Sequence, residues 1–187
     1  MNNLTIVIPV YEDPKVIKEF IKGNEKILTE NRVIVVNRKG GEELKPFSTK
    51  WISKESTFWE ARREGLDLVE TEYTLCLDSD TILPEGYIEE ALTILQLRRF
   101  VGVVAIDYED LQGHLAFGTS IWRTSVLKDL YDWSKNKDNS PKECECVHLW
   151  SKVRRSKFKV ETLDKRAKHL KIEGGNKIRP TLSPLKT

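Results

Sequence analysis

Short, β-branched apolar runs recur along the first hundred residues with helical stretches between them, and this alternation narrows the fold more than any other feature. Residues 4–10 (LTIVIPV), 32–37 (RVIVVN), 73–77 (YTLCL) and 101–106 (VGVVAI) are too short for buried helices. Their near-continuous apolarity suits strands covered on both faces. Between them the spacing predicts helices. Pro14 opens one to about Leu28, with Val16, Ile17, Phe20, Ile21 and Ile27 on one face. Thr57 and Glu60 have capping-box spacing for a second, running to 66–69. Pro84, read as the first helical residue with Leu83 as its cap, opens a third to about Leu97. A short strand is expected at 50–52. Strands alternating with helices in this way predict an α/β chain with a mostly parallel sheet.

Beyond residue 106 the rhythm breaks. Residues 115–122 read as strand, 124–133 as helix, 134–143 (SKNKDNSPKE) as a polar loop, 145–155 as helix and 158–163 as strand. The last residues, with Gly174, Gly175, Pro180 and Pro184, read as a flexible tail. The expected organisation is one domain over 1–170 and a basic tail over 171–187. The 187 residues suffice for a core without metal or disulfide staples. No run approaches the roughly 18 apolar residues of a membrane span. The opening MNNLTIVIPVYED has neither a basic leader nor a cleavage site, so a cytoplasmic location is expected. Three cysteines, an odd number, argue against a disulfide framework.

The formal charge of +2 conceals two opposed halves. Residues 1–150 carry 19 Lys/Arg against 26 Asp/Glu, a balance of −7, whereas residues 151–187 carry 12 against 3, a balance of +9. A basic end on an acidic body suits a polyanion such as phosphate, nucleic acid or anionic lipid, or simply a solvated tail.

Ligands of open α/β sheets bind beyond the carboxyl ends of the strands. The residues there are 9–13 (PVYED), 37–41 (NRKGG), 78–80 (DSD) and Asp107. Asp78 and Asp80, at i and i+2 on leaving a buried strand, can converge on a hard divalent cation that also takes phosphate oxygens. Without a cation, two carboxylates so close would repel and raise one pKa. A turn or N-cap is the plainer role, and a helix starting at Pro84 leaves both aspartates without it.

These segments resemble family 2 glycosyltransferases of the GT-A fold. TIVIPVYED is similar to their first strand and nucleotide loop, Asp78-Ser79-Asp80 to their DXD motif, HLAFGTSIWRTSVL to the acceptor-side segment, and ECVHLWSKVRRSKFKV to the helix and strand after the Glu-Asp catalytic pair. The likeness runs in order over about residues 4–169. It implies a Rossmann-like nucleotide-diphospho-sugar transferase fold, a mixed and mostly parallel sheet flanked by helices, with residues 1–106 as the nucleotide half and 107–170 as the acceptor half. It further implies transfer of a sugar from a nucleotide-diphosphate donor (UDP- or GDP-sugar) to a hydroxyl of a glycan, lipid or protein, with Mn2+ or Mg2+ and with inversion at the anomeric carbon. Pro9, Val10, Tyr11 and Asp13 match the loop that contacts base and ribose, and Arg62 matches an arginine that reaches the nucleotide. Asn37 stands where the family has an aspartate that pairs with uracil, and Arg63 replaces an asparagine. Asp78 and Asp80 match the DXD carboxylates, and His169 the late histidine that completes the metal site. Glu145 falls on the Glu of the catalytic pair and Cys146 on the Asp that is the usual base. A thiol is a poor base for a hydroxyl, so Glu145 is the candidate, with Glu143 and Asp107 as alternatives.

Other readings remain open. A nucleotidyltransferase of related fold would also gather carboxylates on a metal, yet it carries a basic, Gly-rich loop after the first strand where PVYED is acidic. A nucleic-acid or anion-binding module would use the basic tail, which has no aromatic beyond Phe158 to interleave with its cations. Peripheral contact with an anionic membrane is the remaining use for that charge. Cys144, Cys146 and His148 offer only three zinc ligands without a second Cys pair. Trp122, Trp133 and Trp150 are candidates for core packing or a sugar platform.

Overall fold

The computed structural model describes residues 3–110, 116–131 and 145–170, apart from the side chains of Phe58, Trp59, Glu145, Val147 and His148. Among them the strands are β1 (Leu4–Tyr11), β2 (Arg32–Lys39), β3 (Lys50–Ser53), β4 (Tyr73–Cys76), β5 (Thr81–Ile82), β6 (Val101–Tyr108), β7 (Ile121–Arg123) and β8 (Lys159–His169). The helices are α1 (Pro14–Glu30), α2 (Phe58–Asp67), α3 (Tyr87–Leu97), α4 (Thr124–Leu130) and α5 (Glu145–Arg155).

The strands lie in the order β3-β2-β1-β4-β7-β6-β8-β5. Strands β3, β2, β1 and β4 are mutually parallel, β7 is antiparallel to both neighbours, and β6 and β8 are again parallel. The mostly parallel sheet expected from the alternation is therefore present, and the antiparallel β7 makes it mixed, as the resemblance implies. Side chains of β1 divide between its faces: Ile6, Ile8 and Val10 join α1 and α3 in one core, whereas Val7 joins α2, α4 and α5 in the other. Helix α1 starts at Pro14, with the Asp13 carboxylate accepting from Lys15 N at 2.8 Å. Helix α2 opens with the predicted capping box between Thr57 and Glu60. The Thr57 N–H, donating to Glu60 Oε2 at 2.7 Å, and then the Thr57 hydroxyl hold the Glu60 carboxyl below its usual pKa.

Several boundaries differ from the sequence expectation. Helix α3 begins at Tyr87, not Pro84, because residues 81–82 are drawn into strand β5 against β8. Pro84 instead starts a turn closed by Tyr87 N to Pro84 O at 3.3 Å, with Gly86 at φ 72°, ψ 0°, the third position of a type II turn. Strand β8 runs six residues past the predicted end at 163, because β6 pairs along it as far as Tyr108↔Ala167. Its exposed face is charged, which hid it from an apolar reading. Residues 117–119 form a 3-10 turn before the short β7, in place of one long strand. Helix α4 ends at Leu130. Trp133, the 134–143 loop and the 171–187 tail lie outside the described residues. Cys146 is disulfide-bonded, contrary to the inference from the odd count, while Cys76 is a buried thiol.

The order of strands has a geometric consequence. Strand β5 follows β4 by a few residues yet lies four strand spacings away in the ladder, about 19 Å on a flat sheet. The five steps from Cys76 to Thr81 reach at most about 18 Å when fully stretched, and a turn shortens them, with Thr81 N donating to Asp78 O at 3.1 Å. The sheet therefore curls, bringing the end of β8 over the end of β4. Helix α1 holds the curl. Buried Asn24 donates to Thr81 O (2.9 Å) and accepts from Leu83 N (3.1 Å), so it pairs with both sides of β5. Gly23 lies beside it, where an added Cβ would stand 2.5 Å from Ile82.

Tyr87 pins α3 to the sheet. Its hydroxyl is buried and donates towards Val104 O (3.1 Å) and Thr119 O (2.6 Å). Burial pushes the phenol far above its ordinary pKa of 10, with only partial relief from a backbone hydrogen bond at Ile121. The unfolded chain releases this proton near pH 10 and the native state keeps it, so stability falls as pH rises through 10, by about 1.4 kcal/mol per pH unit. Tyr87→Phe is expected to cost about 1–3 kcal/mol below pH 10 through its unpaired acceptors, and to make the alkaline decline shallower by that slope. Urea denaturation from pH 8 to 11 measures both effects.

Candidate active site

The carboxyl ends of β1, β2, β4, β6 and β8 meet at one rim. Leu77 N donates to Val7 O at 3.0 Å and Asp78 N to Gly118 O at 3.2 Å, which aims Asp78 out of the sheet. Its carboxylate pairs with the Arg62 guanidinium from α2 and accepts from the Tyr108 hydroxyl at 3.3 Å. Arg62 is 3% exposed, and its guanidinium lies 4.7 Å from the Phe117 ring centroid. Arg62 thus sits beneath Asp78 as its counter-ion, and breaking such a buried pair typically costs about 3–5 kcal/mol. Asp78 keeps about a quarter of its side chain, 26%, exposed on the other side.

A second pair stands beside it. His169, at the end of β8, places Nε2 2.9 Å from Asp80 Oδ2 and Nδ1 3.5 Å from Asp110 Oδ2. Its ring stacks on Tyr108 at 4.9 Å between centroids. The backbone holds the same contact: Thr81 pairs with His169 across β5 and β8, and Leu170 N donates to Asp80 O at 2.7 Å. The Tyr108 hydroxyl lies 3.2 Å from Thr81 Oγ1, which donates to Asp80 Oδ1 at 3.4 Å, so Tyr108 touches both carboxylate groups' surroundings. Burial, then the negative charges of Asp78 and Asp80, raise the Tyr108 phenol well above its usual pKa. It stays protonated and can donate to Asp78.

The first two strands end in a separate cluster. Pro9 and Val10 are buried, whereas Tyr11 is 56% exposed and carries the Arg38 guanidinium 4.6 Å from its ring centroid. Asp13 is the cap of α1. Asn37 is buried; its Oδ1 accepts from Gly41 N and its Nδ2 donates to Glu42 Oε1, both at 3.1 Å. Gly40, at φ 79°, lies where a Cβ would stand 2.2 Å from Glu12 O, so the two loops interlock through a glycine. Arg63 is partly exposed and faces Asp67 at 3.8 Å.

Glu145 opens α5, but its side chain, that of His148, and Glu143, Cys144 and His114 lie outside the described residues. Asp107 is in β6 opposite Arg166. Trp122 and Trp150 stack at 5.4 Å inside the core, away from any sugar platform.

Among the described residues no group of three or more His, Cys, Asp or Glu side chains is gathered closely enough to hold a metal. Asp78 faces Arg62 and Tyr108 and is not part of the Asp80–His169 pair. That pair nonetheless fits one edge of a cation site: 2.9 Å is close to the separation of about 3.0 Å between neighbouring ligands on an octahedral ion with bonds near 2.1 Å. A nitrogen and an oxygen donor suit Mn2+ better than Mg2+.

Sequence reasoning missed Asn24, Tyr108, Asp110 and Gly118. Gly23-Asn24 interrupts the apolar stripe of α1, and Tyr108 and Asp110 follow β6 where ligand residues are expected, so each left a trace. Gly118 left none. An added Cβ there would stand 2.0 Å from Asp78 Oδ2. Gly118→Ala is expected to displace Asp78 and destabilise the fold by about 1–3 kcal/mol. In the Asp78→Ala background the same change should cost almost nothing, because the clashing carboxylate is gone. A double-mutant cycle by urea denaturation reads that coupling.

No protein-family model and no curated protein sequence matches the chain. Solved structures do. TarS 1-349 of S. aureus in complex with UDP superposes with a TM-score of 0.68 at 18% identity, over 89% of this chain and 60% of that one. The same protein with UDP-GlcNAc gives 0.65 at 19% identity, over 92% and 59%. The mannosyltransferase PcManGT from Pyrobaculum calidifontis, in complex with GDP-Man and Mn2+, gives 0.70 at 13% identity, over 92% and 58%. The chain therefore spans about three fifths of the length of these chains. What the likeness establishes is architecture: a curled, mostly parallel sheet with helices on both faces, the GT-A arrangement expected from the sequence.

Proposed function

We propose that the chain is a metal-dependent glycosyltransferase that moves a hexosyl group from a nucleotide-diphosphate sugar to a hydroxyl acceptor with inversion. The observation that carries this reading is the meeting of Asp78, held by Arg62, with the Asp80–His169 pair at the carboxyl rim of a GT-A sheet. The solved neighbours bound to UDP, UDP-GlcNAc and GDP-Man support a nucleotide-sugar donor. Residues 1–106 then serve the nucleotide and 107–170 the acceptor, in one catalytic domain.

Each residue has a task in this reading. The exposed Tyr11 ring, oriented by Arg38, faces the base, and Pro9, Val10 and the Asp13-capped start of α1 shape the loop around it. Asn37 holds the 38–42 turn and leaves its remaining amide valences for the base. Asp78, with its back to Arg62, accepts from a ribose hydroxyl. Asp80 and His169 hold Mn2+ or Mg2+. When bound, that ion offsets charge developing on the leaving diphosphate. Glu145 takes the acceptor hydroxyl proton as the oxygen bonds to the anomeric carbon and the bond from that carbon to the diphosphate breaks.

Thermal-shift measurements with UDP, GDP and other nucleoside diphosphates, with and without Mn2+, test donor binding. One nucleotide should stabilise the protein when Mn2+ is present, and Asp80→Ala should remove the effect. No response to any nucleotide overturns the reading. With an accepted donor in hand, Glu145→Gln should lower kcat by about 10²–10⁴ with little change in KM. Proton NMR of the product should show the opposite anomeric configuration from the donor.

A further inference from the structure

The rim opposite the site carries a feature that donor binding does not use. Helix α3 ends at Leu97, and residues 97–100 (LRRF) turn into β6 at Val101. Leu97 is 78% and Phe100 71% exposed, although both are large and apolar. Arg98 and Arg99 between them are exposed too. Lys159 N donates to Phe100 O at 2.7 Å, and Val101 pairs with Lys159, so the end of α5 and the start of β8 lie directly alongside. That neighbouring segment contributes exposed Arg154, Arg155, Lys157 and Lys159. The Lys157 ammonium lies 5.4 Å from the Phe158 ring centroid. The acid within these two segments, Glu161, is paired with Arg98.

Scattered surface leucines and phenylalanines are ordinary. Two exposed within four residues, at a corner where exposed basic residues come from two adjacent segments, set apolar surface beside a cluster of cations. Cations at the carboxyl ends of α3 and α5 do complement the helix dipoles, but that accounts for neither Leu97 nor Phe100. A nucleic acid would satisfy the cations and leave Leu97 against phosphate and water. An anionic bilayer satisfies both, since headgroups take the cations while the two side chains enter the acyl boundary.

We propose that this corner is a docking surface for an anionic lipid membrane. Strand β6 separates the corner from the site by about 23 Å, given roughly 3.3 Å per residue over its eight residues. The carboxyl rim then faces away from the bound membrane. Among the described residues the basic charge of this end thus divides: Arg154, Arg155, Lys157 and Lys159 belong to the docking end, whereas β8 delivers Lys165, Arg166 and Lys168 towards the other rim.

Co-sedimentation of the full chain with vesicles tests this, using phosphatidylcholine alone and phosphatidylcholine with 30% (about one lipid in three) phosphatidylglycerol. The expected result is binding to the anionic vesicles only, weakened by salt. Leu97→Ser with Phe100→Ser should abolish it, and Arg99→Glu or Lys157→Glu should each lower partitioning at least about fivefold. Lys177→Glu with Arg179→Glu, in the tail, should leave most of the binding intact. Absence of binding to either vesicle overturns the proposal, as does loss of binding in the tail variant alone. So does a concentration-dependent dimer in sedimentation velocity that disappears in the Leu97/Phe100 variant without any vesicle binding. The nucleotide thermal shift should be the same in wild type and the Leu97/Phe100 variant, so failure at this corner and failure of the glycosyltransferase reading are separately visible.

Discussion

The connection from β4 to β5 is the constraint on which the rest of the structure depends. Asp78-Ser79-Asp80 spans too little distance to join strands four places apart on a flat sheet, so the sheet curls until β8 stands over β4. Curling creates the site as well as the shape. It puts His169 opposite Thr81 and within 2.9 Å of Asp80, although 89 residues separate them in sequence. A longer linker would relieve the geometric demand, but Asp80 would then no longer be held against the end of β8.

Holding that curl takes polar groups inside an apolar core. Asn24 on α1 pairs with backbone on both sides of β5, and Tyr108 joins β6 to Thr81 and Asp78. Arg62 neutralises Asp78 from beneath. Removing one partner from any of these leaves a buried donor, acceptor or charge without its complement, which costs more than the pair contributes. The site is consequently stiff where Asp78 and Asp80 leave the sheet. The Tyr11 ring, by contrast, is open to solvent on the neighbouring loop, above a half-buried Arg38.

Much of this was legible in the sequence for a definite reason. Strands β1, β2, β4 and β6 are buried on both faces, so their apolar runs stand out, and Pro14 and the Thr57–Glu60 box mark helix starts chemically. Strand β8 is different: with one face charged, KVETLDKRAKH reads as strand only through its partner β6. Strand β5 is two residues long and exists because β8 reaches it, which is why Pro84 misled as a helix start. In the site, Asp78 and Asp80 were visible from their position after an apolar strand. The pairing of Arg62 with Asp78, and the space that Gly118 leaves for that carboxylate, depend on contacts across 16 and 40 positions of sequence that no local pattern encodes.

Charge shows the same division between composition and placement. The net charge of +2 hides a −7 body and a +9 end, and the end in turn is split by one strand. Because β8 runs parallel to β6 across the sheet, cations before it emerge at the amino rim and cations along its later half emerge near the carboxylates of the site. An eleven-residue strand is about 33 Å long at roughly 3.3 Å per residue, well beyond the Debye length of about 8 Å at physiological salt. The two groups of cations therefore act on different neighbours. Lys165, facing Glu90 at 3.4 Å, already has an acid beside it. Around Leu97 and Phe100, Glu161 pairs with Arg98 and Glu72 with the adjoining Arg123, yet Arg99, Arg154, Arg155, Lys157 and Lys159 outnumber them, and it is this local excess that gives the corner an affinity the whole-chain charge does not reveal.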